Sequence, residues 1–136
     1  MSEAIFAANP EALQELAANF ARSLAVGDVV ALDGDLGAGK TTFTQGLMAG
    51  LGYEGEVTSP TFSLVQEYKT ARFPVFHFDF YRLESEGEIE ALGWDDYLER
   101  GGLVIVEWAS LFPELLPPHT RWIKIAIHEK GRMIRM

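Results

Sequence analysis

The sequence predicts an α/β domain with a mixed central β-sheet flanked by helices, and three observations carry that prediction. Helical and extended apolar patterns alternate along the chain. A glycine-rich loop, Gly34 to Gly39, joins an apolar strand to a helix. Two later strands are separated by so few residues that they must pair antiparallel, since a parallel crossover needs a dozen or more. The chain has 136 residues, the length of one domain, and 1–136 is read as such.

The elements follow in order. Asn9-Pro10 reads as an N-cap with proline at the first helical position. Leu13, Leu16, Ala17, Phe20 and Leu24 then recur at helical spacing up to the stop at Gly27. Val29 to Asp33 is a short apolar run that fits a buried strand. After the loop, Lys40 to Leu51 predicts a helix with Phe43, Leu47, Met48 and Leu51 on one face. Thr61 to Lys69 and Phe73 to Phe80 read as the strands of the hairpin. Ser85 to Leu92 and Asp95 to Arg100 predict short helices, and Leu103 to Val106 a buried strand. Thr120 to His128 alternates, with Ile123, Ile125 and Ile127 on one face, and turns at Lys130-Gly131 into a last strand, Arg132 to Met136.

Composition narrows the function classes. Acids number 20 and Lys plus Arg 11, a formal charge of −9. Such a chain is a poor match for direct contact with nucleic acid or an anionic membrane, because both reward clustered cations. Cysteine is absent, which excludes disulfides and thiolate chemistry. No apolar run approaches the roughly 20 residues of a membrane span, and the start shows no secretory signal, so a cytoplasmic location is expected. The charge is local: residues 84–99 carry seven acids and no base, leaving −2 elsewhere. That segment reads either as a solvated helical face or as a docking surface for a basic partner.

The strongest motif is Gly34-Asp35-Leu36-Gly37-Ala38-Gly39-Lys40-Thr41. It matches the phosphate-loop pattern G-x-x-x-x-G-K-[ST] in the strand–helix context that pattern requires. The glycines let successive backbone N–H groups turn toward phosphate oxygens, and the helix start adds its positive dipole end. Lys40 can reach the β- and γ-phosphates, and the Thr41 hydroxyl can ligate Mg²⁺. No Asn-Lys-x-Asp run is present to read guanine, which favours ATP.

A phosphate loop needs a carboxylate at a strand end to complete the magnesium site. Asp79, ending Val75-Phe76-His77-Phe78, and Glu107, ending Val104-Ile105-Val106, both fit. Spacing alone does not say which touches the metal and which orients water. His77 faces the same side as Asp79 and reads as a structural or supporting residue. Thr58-Ser59-Pro60-Thr61 offers three hydroxyls, with Pro60 holding Ser59 extended. Beside a phosphate loop it reads as a switch-like segment ordered by the γ-phosphate.

Taken together, Gly34 to Thr42, then Ser59-Pro60-Thr61-Phe62, then His77-Phe78-Asp79-Phe80-Tyr81-Arg82-Leu83, then Val106-Glu107-Trp108 resemble the TsaE (YjeE) family. These are small bacterial ATPases needed for threonylcarbamoyl-adenosine modification of tRNA. The resemblance implies a P-loop NTPase domain and weak ATPase activity raised by partners, the subunits TsaB and TsaD. It further implies that Asp35, Leu36, Gly37, Ala38, Gly39, Lys40, Thr41 and Thr42 bind nucleotide, and that Thr41 and Glu107 serve Mg²⁺. Asp79 would be an acid essential for turnover that also stands near the metal. Trp108 would be an aromatic of the nucleotide site, Arg132 a basic nucleotide contact, and Ser59 to Thr61 a switch. Relatives often carry a threonine near the position of Leu13.

Two other readings remain at this level. A small-molecule kinase would use Asp79 to accept a substrate proton, although the arginine-rich lid usual in such kinases is missing. A nucleotide-gated binding module would need no turnover.

Overall fold

Alternation along the central strands assigns each side chain to one of two helical layers. The computed structural model describes residues 4–35, 37–58, 60 and 64–136. In chain order the elements are β1 (Ala4–Ala7), α1 (Pro10–Ala21), β2 (Val29–Asp33), α2 (Lys40–Gly50), β3 (Val65–Lys69), β4 (Pro74–Asp79), α3 (Glu86–Ala91), α4 (Trp94–Glu99) and β5 (Leu103–Glu107). Two 3₁₀ turns, Ala109–Leu111 and Pro113–Leu115, lead to β6 (Arg121–His128) and β7 (Gly131–Arg135). Among the described residues the strands form one seven-stranded sheet in the order β1-β7-β6-β2-β5-β4-β3. The four central strands, β6, β2, β5 and β4, run parallel. Both margins are antiparallel, so the sheet is mixed as expected.

Val30, Leu32, Val75, Leu103 and Ile105 project to the face covered by α1 and α2. Val29, Ala31, Phe76, Phe78, Val104 and Val106 project to the other face, under α3 and α4. There Phe78 meets Trp94 and Tyr97 edge to face at 5.0 and 5.1 Å, an arrangement aromatic quadrupoles favour. The acids at 84, 86, 88, 90, 95, 96 and 99 are exposed on the outside of this layer.

Local signals behave as their chemistry requires. The Asn9 side-chain Oδ1 accepts the Ala12 N–H at 2.8 Å, and Pro10 opens α1. The hairpin pairs Lys69 with Pro74. Phe43, Leu47, Met48 and Leu51 are all buried.

Three expectations are corrected. The second strand pair begins at Val65 rather than Thr61, because Leu64 adopts φ +67° and breaks the extended run; Thr61 to Ser63 lie outside the described residues. Ile127 does not join Ile123 and Ile125 in the core. β6 pairs with β2 only through Lys124, so Ile127 lies beyond the end of β2, where only β7 flanks it, and is 60% exposed. β1 was not expected at all; it pairs only with β7, from the far end of the chain, Ala7 opposite Arg132.

Two features of the topology position a site. The chain passes from β2 outward to β4 on one side, and from β5 back to β6 on the other, which opens a crevice at the carboxyl ends of the parallel strands. Beyond Lys124, β6 and β7 continue as a hairpin that forms a wall beside the crevice. Among the described residues no helix is long and apolar enough to cross a membrane.

Candidate functional site

The glycine-rich loop occupies that crevice, between the end of β2 and the start of α2. Gly34 passes so close to β6 that a Cβ there would sit 2.5 Å from the Ile125 carbonyl oxygen. Gly39, at φ +118°, caps α2 with no side-chain bond to its N–H groups. The first N–H groups of α2 therefore have no acceptor within the helix. Leu36 lies outside the described residues, as do Ser59 and Thr61 of the switch-like segment.

Lys40, Thr41, Thr42, Asp79, Tyr81, Arg82, Glu107 and Trp108 surround one cavity, of about 330 Å³, with Gly37 and Gly39 as its floor. The register explains why the two acids meet: Asp79 on β4 lies directly opposite Glu107 on β5, and Glu107 is opposite Leu32 on β2. β5 adjoins the loop-bearing strand and β4 stands one strand further out, so Glu107 is the nearer acid to the loop. Both are buried, at 4% and 3% exposure, as is Lys40 at 6%.

The Lys40 ammonium donates to the carbonyl oxygens of Gly34 and Asp35 and lies 4.2 Å over the Trp108 ring. Burial pushes it below the usual lysine value, while Glu107, Asp79, Asp33 and Asp35 act in the opposite sense, Glu107 most strongly. Trp108 itself takes a left-handed conformation, φ +59°, and stacks on Tyr81 at 4.8 Å. That is an uncommon backbone state for a bulky residue. It turns the ring directly after Glu107 and back toward Lys40.

Asp79 Oδ1 accepts the Tyr81 N–H at 2.9 Å, and the Asp79 N–H donates to the Leu64 carbonyl at 3.0 Å. The Leu64 N–H in turn donates to Pro60 at 2.7 Å, which ties the described end of the switch-like segment to the backbone of Asp79. His77 is fully buried and its Nε2 lies 2.7 Å from Glu107 Oε2. Facing an ionised carboxylate, Nε2 is the donor of this bond; Nδ1 is buried without a partner among the described residues.

A second cavity, also about 330 Å³, opens on the other side of the loop. Ala7 to Pro10 and Leu13 line one wall and Ile127 to Arg132 the other, and it shares Gly37, Gly39 and Thr42 with the first cavity. Leu13, near the position where relatives often have threonine, packs under Gly39 and reaches this cavity. Apart from Arg132, its outer walls carried only structural signals, the helix start at Asn9-Pro10 and the turn at Lys130-Gly131; the β1–α1 and β6–β7 turns that form it lie about 120 residues apart. Arg132 donates from Nε to the Ala38 carbonyl at 2.8 Å and from Nη2 to the Gly37 carbonyl at 3.2 Å.

A mixed α/β sheet with a glycine-rich strand–loop–helix at the carboxyl ends of parallel strands, a buried lysine and two paired acids defines the class of protein. The family model described as "Threonylcarbamoyl adenosine biosynthesis protein TsaE" matches residues 7–135. The Bacillus subtilis (strain 168) tRNA threonylcarbamoyladenosine biosynthesis protein TsaE is 49% identical over 126 residues, 90% of this chain and 75% of that protein. The Haemophilus influenzae protein of the same name is 40% identical over 108 residues, 79% of this chain and 68% of that one. A crystal structure of Bacillus subtilis YdiB superposes with TM-score 0.85 and 36% identity, covering 99% of this chain and 84% of that one. This chain belongs to the TsaE family.

Proposed function

We propose that this protein binds and hydrolyses Mg-ATP, weakly alone and faster with partner subunits, in support of threonylcarbamoyladenosine modification of tRNA. The partners expected from the family are TsaD and TsaB, with direct tRNA contact left to them. The observation that carries the reading is the convergence of Lys40, Thr41, Asp79 and Glu107 on one cavity floored by Gly37 and Gly39.

In this reading Gly37, Gly39 and Thr42 supply backbone N–H groups to the phosphates, and Lys40 leaves the loop carbonyls for the β- and γ-phosphates. The donor set fits a hard cation: hydroxyl and carboxylate only. Among the described residues no three acids or histidines converge as a metal cage, which suits a magnesium ion held by one or two carboxylates together with phosphates. Thr41 and Glu107 would hold it, Glu107 because it is nearer the loop. The metal would neutralise charge developing on the transferred phosphoryl group. Asp79, one strand further out, orients the attacking water, and His77 holds the Glu107 carboxylate in place. Trp108 and Tyr81 shield the phosphate end. The second cavity takes the base.

The test is release of labelled phosphate from γ-labelled ATP by the purified protein with and without TsaB and TsaD. Inorganic phosphate should appear and rise with the partners. Label transferred to a metabolite, or no ATP binding by the intact chain, would contradict the proposal.

A further inference from the structure

We infer that Arg132 is a positioning residue: its guanidinium braces the glycine-rich loop and sets the direction of the loop's N–H groups. This deepens the proposed phosphate site and rests on it for its functional consequence. The bracing itself is a property of the ligand-free protein.

Three guanidinium N–H groups are already committed to protein. Nε donates to Ala38 O at 2.8 Å, Nη2 to Gly37 O at 3.2 Å, and Nη1 to Gly131 O at 2.9 Å. The first two acceptors belong to consecutive peptides of the loop. In a trans peptide the C=O and N–H point in opposite directions. Fixing the Ala38 carbonyl on Arg132 therefore turns the Gly39 N–H away from β7. Fixing the Gly37 carbonyl does the same for the Ala38 N–H, which donates to the Asp35 carbonyl at 3.0 Å and closes the turn.

Arg132 is well anchored for this task. It lies within β7, opposite Ala7 of β1 and Ile127 of β6, so strands on both sides hold its backbone. Glycines at φ +80° and φ +118° flank Ala38, leaving a backbone with little intrinsic preference for one orientation. An outside clamp supplies what the loop lacks. Its planar fork matters as much as its charge: one lysine ammonium on a flexible stem does not reproduce two fixed N–H directions.

The experiment uses full-length protein as wild type, Arg132→Lys and Arg132→Met. Amide ¹⁵N relaxation without ligand reads Gly37, Ala38 and Gly39, and calorimetry reads Mg²⁺-tripolyphosphate affinity. In both variants the loop order parameters should fall from about 0.85 to below about 0.6 while β2 and β5 stay rigid. Tripolyphosphate affinity should drop about tenfold in both, lysine included. A rigid loop in either variant overturns the inference. So does a lysine variant that binds tripolyphosphate like wild type while the methionine variant does not, since that pattern marks a charge contact to phosphate. If wild type itself fails to bind tripolyphosphate, the reading of the site is at fault, and the relaxation data still decide the bracing.

Discussion

The two sides of the glycine-rich loop are built from different kinds of sequence. On the side proposed to hold phosphate, Lys40, Thr41, Asp79, Glu107 and Trp108 are buried or half-buried, charged, hydroxyl-bearing or aromatic, and carried at the ends of parallel strands or the start of α2. On the other side the walls are turns and strand ends, Ala7 to Pro10 and Ile127 to Gly131, with small or exposed side chains apart from the buried Leu13 and the half-buried Arg132. The difference teaches that chemistry and shape are specified separately in this fold. Reactive groups need fixed positions, which strand register provides. The pocket proposed for the base needs only walls, which the β1–α1 and β6–β7 turns supply.

The sharpest way to break that comparison is Lys40→Ala. It removes two charge-assisted hydrogen bonds of roughly 2 kcal/mol each, so ATP affinity measured by calorimetry should fall about a thousandfold. Next is Glu107→Gln, which keeps shape and loses charge. Turnover should fall about a hundredfold, while ADP binding without magnesium stays near wild type. Smaller is the effect at His77. His77→Leu should raise the magnesium concentration needed for turnover about tenfold, whereas His77→Gln, which returns a donor near Nε2, should recover most of it. On the opposite side Ala8→Trp should weaken ATP several-fold and leave tripolyphosphate unchanged.

The smallest expected effect is a pH dependence. Burial places the Lys40 value below the ordinary 10.5. In the proposed site the ammonium is the form that would bind phosphate, so tripolyphosphate affinity should begin to fall at a pH where an ordinary lysine is still fully charged. The linkage sign for the ligand-free protein is the reverse. Folding disfavours the buried ammonium, so that penalty is complete below the folded value and gone above 10.5. Affinity constant up to the ordinary lysine range would contradict the burial effect.

Legibility follows the same division. The phosphate side could be read because loop chemistry constrains consecutive residues: Gly34 cannot carry a Cβ against Ile125, and Gly39 holds a positive φ. Asp79 and Glu107 were legible as strand ends, but their direct pairing was not, since register between β4 and β5 is a tertiary fact. The His77–Glu107 bond was hidden for the same reason, 30 positions apart in the chain. β1 gave no usable pattern because a four-residue strand acquires its meaning only from β7. Leu64 misled for a local reason, a bulky residue in a left-handed conformation that propensity does not anticipate. Arg132 was legible as a basic residue after a glycine, yet its two acceptors in the loop lie more than 90 positions earlier.

The central claim is that one nucleotide spans both cavities across the shared residues Gly37, Gly39 and Thr42. Amide chemical-shift mapping with two fragments tests it most directly. Mg²⁺-tripolyphosphate should move Lys40, Thr41, Asp79 and Glu107, adenosine should move Ala8, Asn9, Leu13, His128 and Gly131, and Mg-ATP should move both sets together. Adenosine shifts that fall elsewhere, or Mg-ATP shifts confined to one side of the loop, would contradict it.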